Sequence, residues 1–177
     1  IQALKQAVHA QSETASAFAH TASTSQDIAD TALALVTRDA LALITTDLRR
    51  AVYAGLALAH QHAQDPVLAR TLMQPASVTS FGFKCLGWTA PLVRAHLRIH
   101  HTAGQALQLQ LGGAVGTLTQ MHGKGPAVAA SMARLLDLRH PDISWHTQRD
   151  DWVSLGCELG VLAGSLGKIG RDLSLAG

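Results

Sequence analysis

A chain of 177 residues, 47% of them hydrophobic, is long enough for one domain with a sizeable core and shows none of the compositional marks of disorder. Fourteen Lys and Arg stand against 12 Asp and Glu, Arg49-Arg50 is the single basic doublet, and aromatics make up 4%; a nucleic-acid binder would gather basic residues on one face beside stacking aromatics, so no nucleic-acid partner is expected. No basic-then-apolar leader opens the chain, no apolar run nears the roughly 20 residues of a membrane span, and Cys85 and Cys157 lack metal or redox spacing, so a cytoplasmic protein with reduced thiols and no membrane partner is expected.

The chain opens on Ile1 inside an amphipathic stretch, Ile1 to Ala19, as though an upstream segment had been cut away. From Asp27 to about His60, Leu41, Ile44, Leu48, Val52 and Gly55 recur at steps of three and four, the period of one buried helix face. Ser23 and Gln26 have capping-box spacing at its start, Asp27 adds negative charge to the first turn, and Asp65-Pro66 marks its end.

A second helix is predicted from about Val78 to Leu107, kinked at Pro91, where the ring removes a backbone donor. The Gly-rich stretch from Gly112 to Pro126 reads as a loop delivering Pro near the first position of a third helix, Ala127 to Leu138. A last helix is predicted from Trp145 to about Leu175, and its Gly156, Gly160, Gly164, Gly167 and Gly170 imply close helix packing, because each interior Gly otherwise costs about 1 kcal/mol. No period-two run of β-branched and aromatic residues stands out, so the expected class is all-α, a long-helix bundle forming one domain over 1–177. Helices this long need equally long neighbours, so self-association is expected.

Four polar segments carry candidate chemistry. His20-Thr21-Ala22-Ser23-Thr24-Ser25-Gln26-Asp27 sits where the long helix begins, and exposed N–H groups there suit an anion, although for this segment alone plain capping by Ser23, Gln26 and Asp27 is the favoured reading. Ala69-Arg70-Thr71-Leu72-Met73-Gln74-Pro75 groups an Arg able to grip a carboxylate through two parallel bonds with a Thr and a Gln; a surface Arg near a turn-forming Pro is the plainer reading. Gly112-Gly113-Ala114-Val115-Gly116-Thr117 lacks the preceding strand of a phosphate loop, which favours a turn or packing role. Trp145-His146-Thr147-Gln148-Arg149-Asp150 places an imidazole, an amide, a guanidinium and a carboxylate in one turn, and an imidazole can move protons near neutral pH. His96 and His100 have helical ligand spacing but no Glu follows His96, so no metal site is expected.

Taken in order, these segments resemble the homologous regions of the fumarase/aspartase superfamily, and in detail the 3-carboxy-cis,cis-muconate cycloisomerases. Leu72 stands where many superfamily lyases carry a His after Arg-Thr, and His146-Thr147-Gln148-Arg149-Asp150, followed by Gly164 to Asp172, is similar to the cycloisomerase branch. Ala22-Ser23 and Ala69 depart from the Gly-containing forms of the first and second regions. The resemblance implies a central helical-bundle domain of a homotetramer with shared active sites, a small polycarboxylate substrate, closure of a lactone, and no cofactor. It further implies that the flexible signature loop with its catalytic Ser would follow Leu175, and that this chain alone is inactive. The residues it points to for substrate binding are His20, Thr24, Ser25, Gln26, Arg70, Thr71, Gln74, Gln148 and Arg149, with His146 as the catalytic proton carrier. Another superfamily lyase, such as an adenylosuccinate lyase, and a non-catalytic helical scaffold are the competing readings; Leu72 argues against the first and the polar helix starts against the second.

Overall fold

In the computed structural model, which describes residues 1–176, the elements in chain order are α1 (Gln2–Gln11), α2 (Glu13–Ser16), α3 (Ser25–Gln61), β1 (Pro66–Thr71), β2 (Gln74–Ser80), α4 (Phe81–Ala106), α5 (Gly125–Leu136) and α6 (Asp150–Ala176). The long helices match the sequence periodicity, with α3 starting two residues before Asp27 and α6 starting five residues after Trp145. The capping box also differs from expectation: Asp27, not Gln26, reaches back to the N–H of Thr24 at 2.8 Å, while Gln26 Nε2 donates to the carbonyl of His146. Pro91 lies inside α4, which continues through it to Ala106. Pro126 occupies the first turn of α5, as expected of a residue with no N–H to leave unpaired.

A two-stranded antiparallel hairpin, β1 against β2, occupies 66–80, where no strand was expected in the helical fold, and takes Val78 to Ser80 away from the predicted second helix. The pairing runs from Pro66 opposite Ser80 to Thr71 opposite Gln74, with a register shift between Leu68 and Arg70. Its two turn residues, Leu72 and Met73, have φ of 49° and 62°. Left-handed φ at both central positions is what a two-residue hairpin of the right twist demands, and Asn-Gly normally supplies it; Leu and Met do so at a cost on the order of 1 kcal/mol each.

The described chain divides into two compact units, residues 1–40 with 103–152, and 41–102 with 153 onwards. In the first, Ala34 of α3, Ala129 and Ala133 of α5, and Leu109, Leu111 and Leu138 form the buried core, flanked by Leu118, Met132 and Trp152. Small Ala side chains on α3 and α5 let these helices sit close to the extended 107–111 segment, whose Leu109 N–H donates to the carbonyl of Arg139. In the second, Ala59, Cys85 and Trp88 form the core with Phe81 and Ile169. Gly55 and Gly82 are tight there: a Cβ on Gly55 would strike Thr89, and one on Gly82 would strike the backbone of Ala59 and Ala63. The α6 glycines do not follow that pattern, since a Cβ on Gly156, Gly160, Gly164, Gly167 or Gly170 meets nothing within 4 Å among the described residues. Leu43, Tyr53, Phe83, Leu97 and Val153 are likewise exposed. No helix among the described residues is long and apolar enough to cross a membrane.

Candidate active site

The first unit's polar centre is built on the first two turns of α3. Asp27 and Asp30, one turn apart, share the inward face, and Thr31 follows; all three are buried. Asp27 is 1% exposed and accepts hydrogen bonds from the N–H groups of Thr24, Gly112 and Gly113, and its Oδ1 lies 2.7 Å from Nε2 of His146. Thr31 Oγ donates to the carbonyl of Gln110 and accepts from its N–H, so one hydroxyl satisfies both backbone groups of a buried residue. Gly113 has φ 70° and a Cβ there would meet the carbonyl oxygen of Ala22 at 2.9 Å; the glycine lets this backbone reach Asp27.

The Trp145-to-Arg149 segment is not a helical turn as predicted but an irregular stretch ahead of α6, held side chain by side chain. The N–H of Trp145 donates to Gln110 Oε1 at 3.0 Å and its indole N–H to the carbonyl of Leu109. Gln110 Nε2 then faces Ser144 Oγ at 2.9 Å, and Ser144 Oγ lies 3.2 Å from His146 Nδ1. Arg149 grips Asp30 through Nη1 and Nη2, donates from Nε to the carbonyl of His146, and lies over the Trp145 ring with its guanidinium carbon 4.9 Å from the centroid. His146, Gln26 and Arg149 are therefore brought together, but each is engaged within the chain.

The other predicted residues are placed differently. Thr24 is half-buried and Ser25 exposed at the start of α3, while Gln148 is exposed beside Thr147. His20, at φ 66°, lines a cavity of about 410 Å³ with Phe18, Ser23, Asp27, Leu111 and Met132, and its Nε2 is buried with no partner among the described residues. Arg70, Thr71 and Gln74 belong to the second unit, exposed on either side of the hairpin turn. Arg70 lines an open cleft of about 840 Å³ with Leu68, Phe83, Lys84 and Asp172. Asp172 is held below the ordinary carboxylate range by its hydrogen bonds from Lys168 and then Trp88. The clustered His96 and His100 lie on α4, and no group of three metal-binding side chains occurs among the described residues.

Sequence reasoning treated Asp27 only as a cap and passed over Asp30, Gln110 and Ser144. The signals were present: two carboxylates at i, i+3 on a buried helix face, and Gln110 inside the apolar run Leu107 to Leu111, each a polar group that burial forces to find a partner.

Long helices with polar clusters gathered at their starts define a helical lyase-type fold of the fumarase/aspartase kind. The chain belongs to this family: the family model described as Lyase matches residues 2–177. It is 42% identical over 161 residues to a 3-carboxy-cis,cis-muconate cycloisomerase of Bradyrhizobium diazoefficiens, covering 91% of this chain and 36% of that protein. It is 41% identical over 175 residues to the protein of that name from Pseudomonas aeruginosa, covering 99% of this chain and 38% of the relative. The crystal structure of 3-carboxy-cis,cis-muconate lactonizing enzyme from Pseudomonas putida superposes with a TM-score of 0.90 at 39% identity, over 97% of this chain and 39% of that one. The chain thus spans a little over a third of the length of these relatives.

Proposed function

We propose that the chain is the central helical part of a cofactor-independent cycloisomerase that closes a lactone on 3-carboxy-cis,cis-muconate in the catabolism of aromatic compounds. One carboxylate oxygen of the substrate bonds to an alkene carbon, the π pair moves to the carbon beside another carboxylate as an enediolate, and a proton added there completes the product. The demand on the protein is to hold a polyanion and to meet charge that develops next to a carboxylate with preorganised donors.

The observation that carries this reading is a set of uncommitted donors at the places the family resemblance marks. Arg70, Thr71 and Gln74 flank a strained, exposed turn, and among the described residues none of the three has an ion-pair or side-chain hydrogen-bond partner. In this reading they receive substrate carboxylates with His20, Thr24, Ser25 and Gln148, while Gln26 and Arg149 hold the backbone of His146 in place. His146 carries the proton, its charged form balanced by Asp27. The open glycine face of α6 and the exposed apolar side chains support a homotetramer in which different subunits complete each site. A cytoplasmic location goes with that reading.

The test is the ultraviolet absorbance of 3-carboxy-cis,cis-muconate mixed with a polypeptide that carries this chain at the full length of its relatives. Lactonisation removes the conjugated diene, so absorbance falls. Unchanged absorbance, with cleavage of adenylosuccinate instead, would replace this reading by the other lyase.

A further inference from the structure

We propose that Asp27 is a positioning residue that keeps a proton on Nε2 of His146 and so makes Nδ1 the nitrogen at which the catalytic proton is exchanged. The inference rests on the proposed role of His146 and adds to it the nitrogen at which transfer occurs, and to Asp27 a positioning role beyond capping and charge balance.

The four groups around the Asp27 carboxyl decide the matter. Three are backbone N–H groups, from Thr24 at 2.8 Å, Gly112 at 3.0 Å and Gly113 at 2.9 Å, and these can only donate. Oδ2 receives two of them, and Oδ1 receives Gly112 together with His146 Nε2. A carboxyl whose three other contacts are all donors serves as an acceptor, so the ring nitrogen facing it carries hydrogen. Asp27 is 1% exposed and the His146 side chain 15%, so water does not compete for this bond on equal terms.

The opposite edge of the ring is built for exchange. The amide of Gln110 is oriented by the Trp145 N–H, which can face only Oε1; its Nε2 therefore points at Ser144 Oγ. With one lone pair of that oxygen filled by Gln110, the hydroxyl can still either give its proton to His146 Nδ1 or accept one from it, by rotation alone. The charged groups facing the imidazole are Asp27 and the Arg149–Asp30 pair, the latter neutralised within itself and touching His146 at its carbonyl. No comparable freedom exists at Nε2, where moving the proton away would set a bare nitrogen against a carboxylate.

The experiment uses the full-length enzyme with ¹⁵N-labelled histidine. His146 is assigned by the resonance lost in His146→Asn, and its ring shifts are read across pH. Nε2 carries hydrogen in both the neutral and the charged form, and only the Nδ1 resonance moves between protonated and bare values. A neutral Nδ1–H tautomer in an active enzyme would overturn the Asp27 assignment alone. Asp27→Asn lowers kcat at least tenfold with KM within twofold, and mixes the two tautomers. Unchanged kcat in a folded Asp27→Asn enzyme would also overturn it, and if that variant does not fold, the wild-type spectrum decides. Wild-type enzyme inactive on the muconate would remove the exchange step together with the proposed reaction.

Discussion

Arg149 binds Asp30 with both guanidinium nitrogens, Nη1 at 3.1 Å and Nη2 at 2.7 Å, across 119 positions of sequence. The fork matches the carboxylate in a way a lysine cannot, and the same side chain also donates to the carbonyl of His146 and covers Trp145. Arg149→Lys is expected to cost about 1 to 2 kcal/mol of stability, moderated by the partial exposure of the pair. Urea unfolding followed by tryptophan fluorescence measures it, and a variant within 0.5 kcal/mol of wild type would show the pair to be decorative.

Two glycines of similar sequence context should respond oppositely to alanine. A Cβ on Gly55 would collide with Thr89, whose Oγ is already committed to the carbonyl of Cys85. Gly55→Ala therefore costs about 1 to 3 kcal/mol by overpacking. Gly160 meets nothing within 4 Å, so within a single chain Gly160→Ala gains up to about 1 kcal/mol of helix propensity. In the proposed oligomer that face receives another chain, and Gly160→Leu should shift the assembled protein toward smaller species in sedimentation velocity without lowering far-UV helicity. Unchanged sedimentation would remove α6 from the interface.

The contrast between helices and hairpin shows what a single sequence discloses. The long helices were legible because Leu41, Ile44 and Leu48 keep one period over several turns, and Pro126 marks a helix start by its own geometry. The hairpin was not, because its turn is Leu72-Met73, two residues that ordinarily avoid the left-handed φ they adopt here, and neither strand buries a residue: β1 alternates only between exposed and half-buried positions and β2 does not alternate. At the site, the polar identity of His146 and Arg149 was visible, but their partners lie some 120 positions away on α3. Only the tertiary arrangement shows that Asp27 and Asp30 are those partners.

Arg70 should act on binding of the polyanion in the proposed reaction. Exposed at the hairpin and lining the open cleft, it has no in-chain carboxylate to hold it among the described residues. Arg70→Ala in the full-length enzyme is expected to lower kcat/KM on 3-carboxy-cis,cis-muconate by about 10- to 100-fold, the scale of a charge-assisted hydrogen-bond pair, with the unfolding midpoint unchanged. Retained kcat/KM would move substrate recognition away from the hairpin.

Asp172 predicts how the second unit responds to acid. Its carboxylate accepts from Trp88 Nε1 at 2.6 Å and from Lys168, and these bonds, Lys168 first, hold its pKa below the ordinary value of 3.8. A carboxyl lowered on folding binds its proton less tightly in the native state than in the unfolded one. Its contribution to stability is therefore complete above the unfolded value and disappears as pH falls from about 4 through the folded pKa. Asp172→Ala should thus be less stable than wild type at pH 7, by about 1 kcal/mol given the partial exposure of the Lys168 pair, and the difference should shrink on acidification. Trp88 survives acid as a donor, so a residual gap from its lost partner is expected even at pH 2. Parallel urea titrations at pH 7, 4 and 2 read the difference directly. A gap that stayed constant with pH would mean that Asp172 acts by packing alone, and that neither Lys168 nor Trp88 discriminates between its charged and neutral forms.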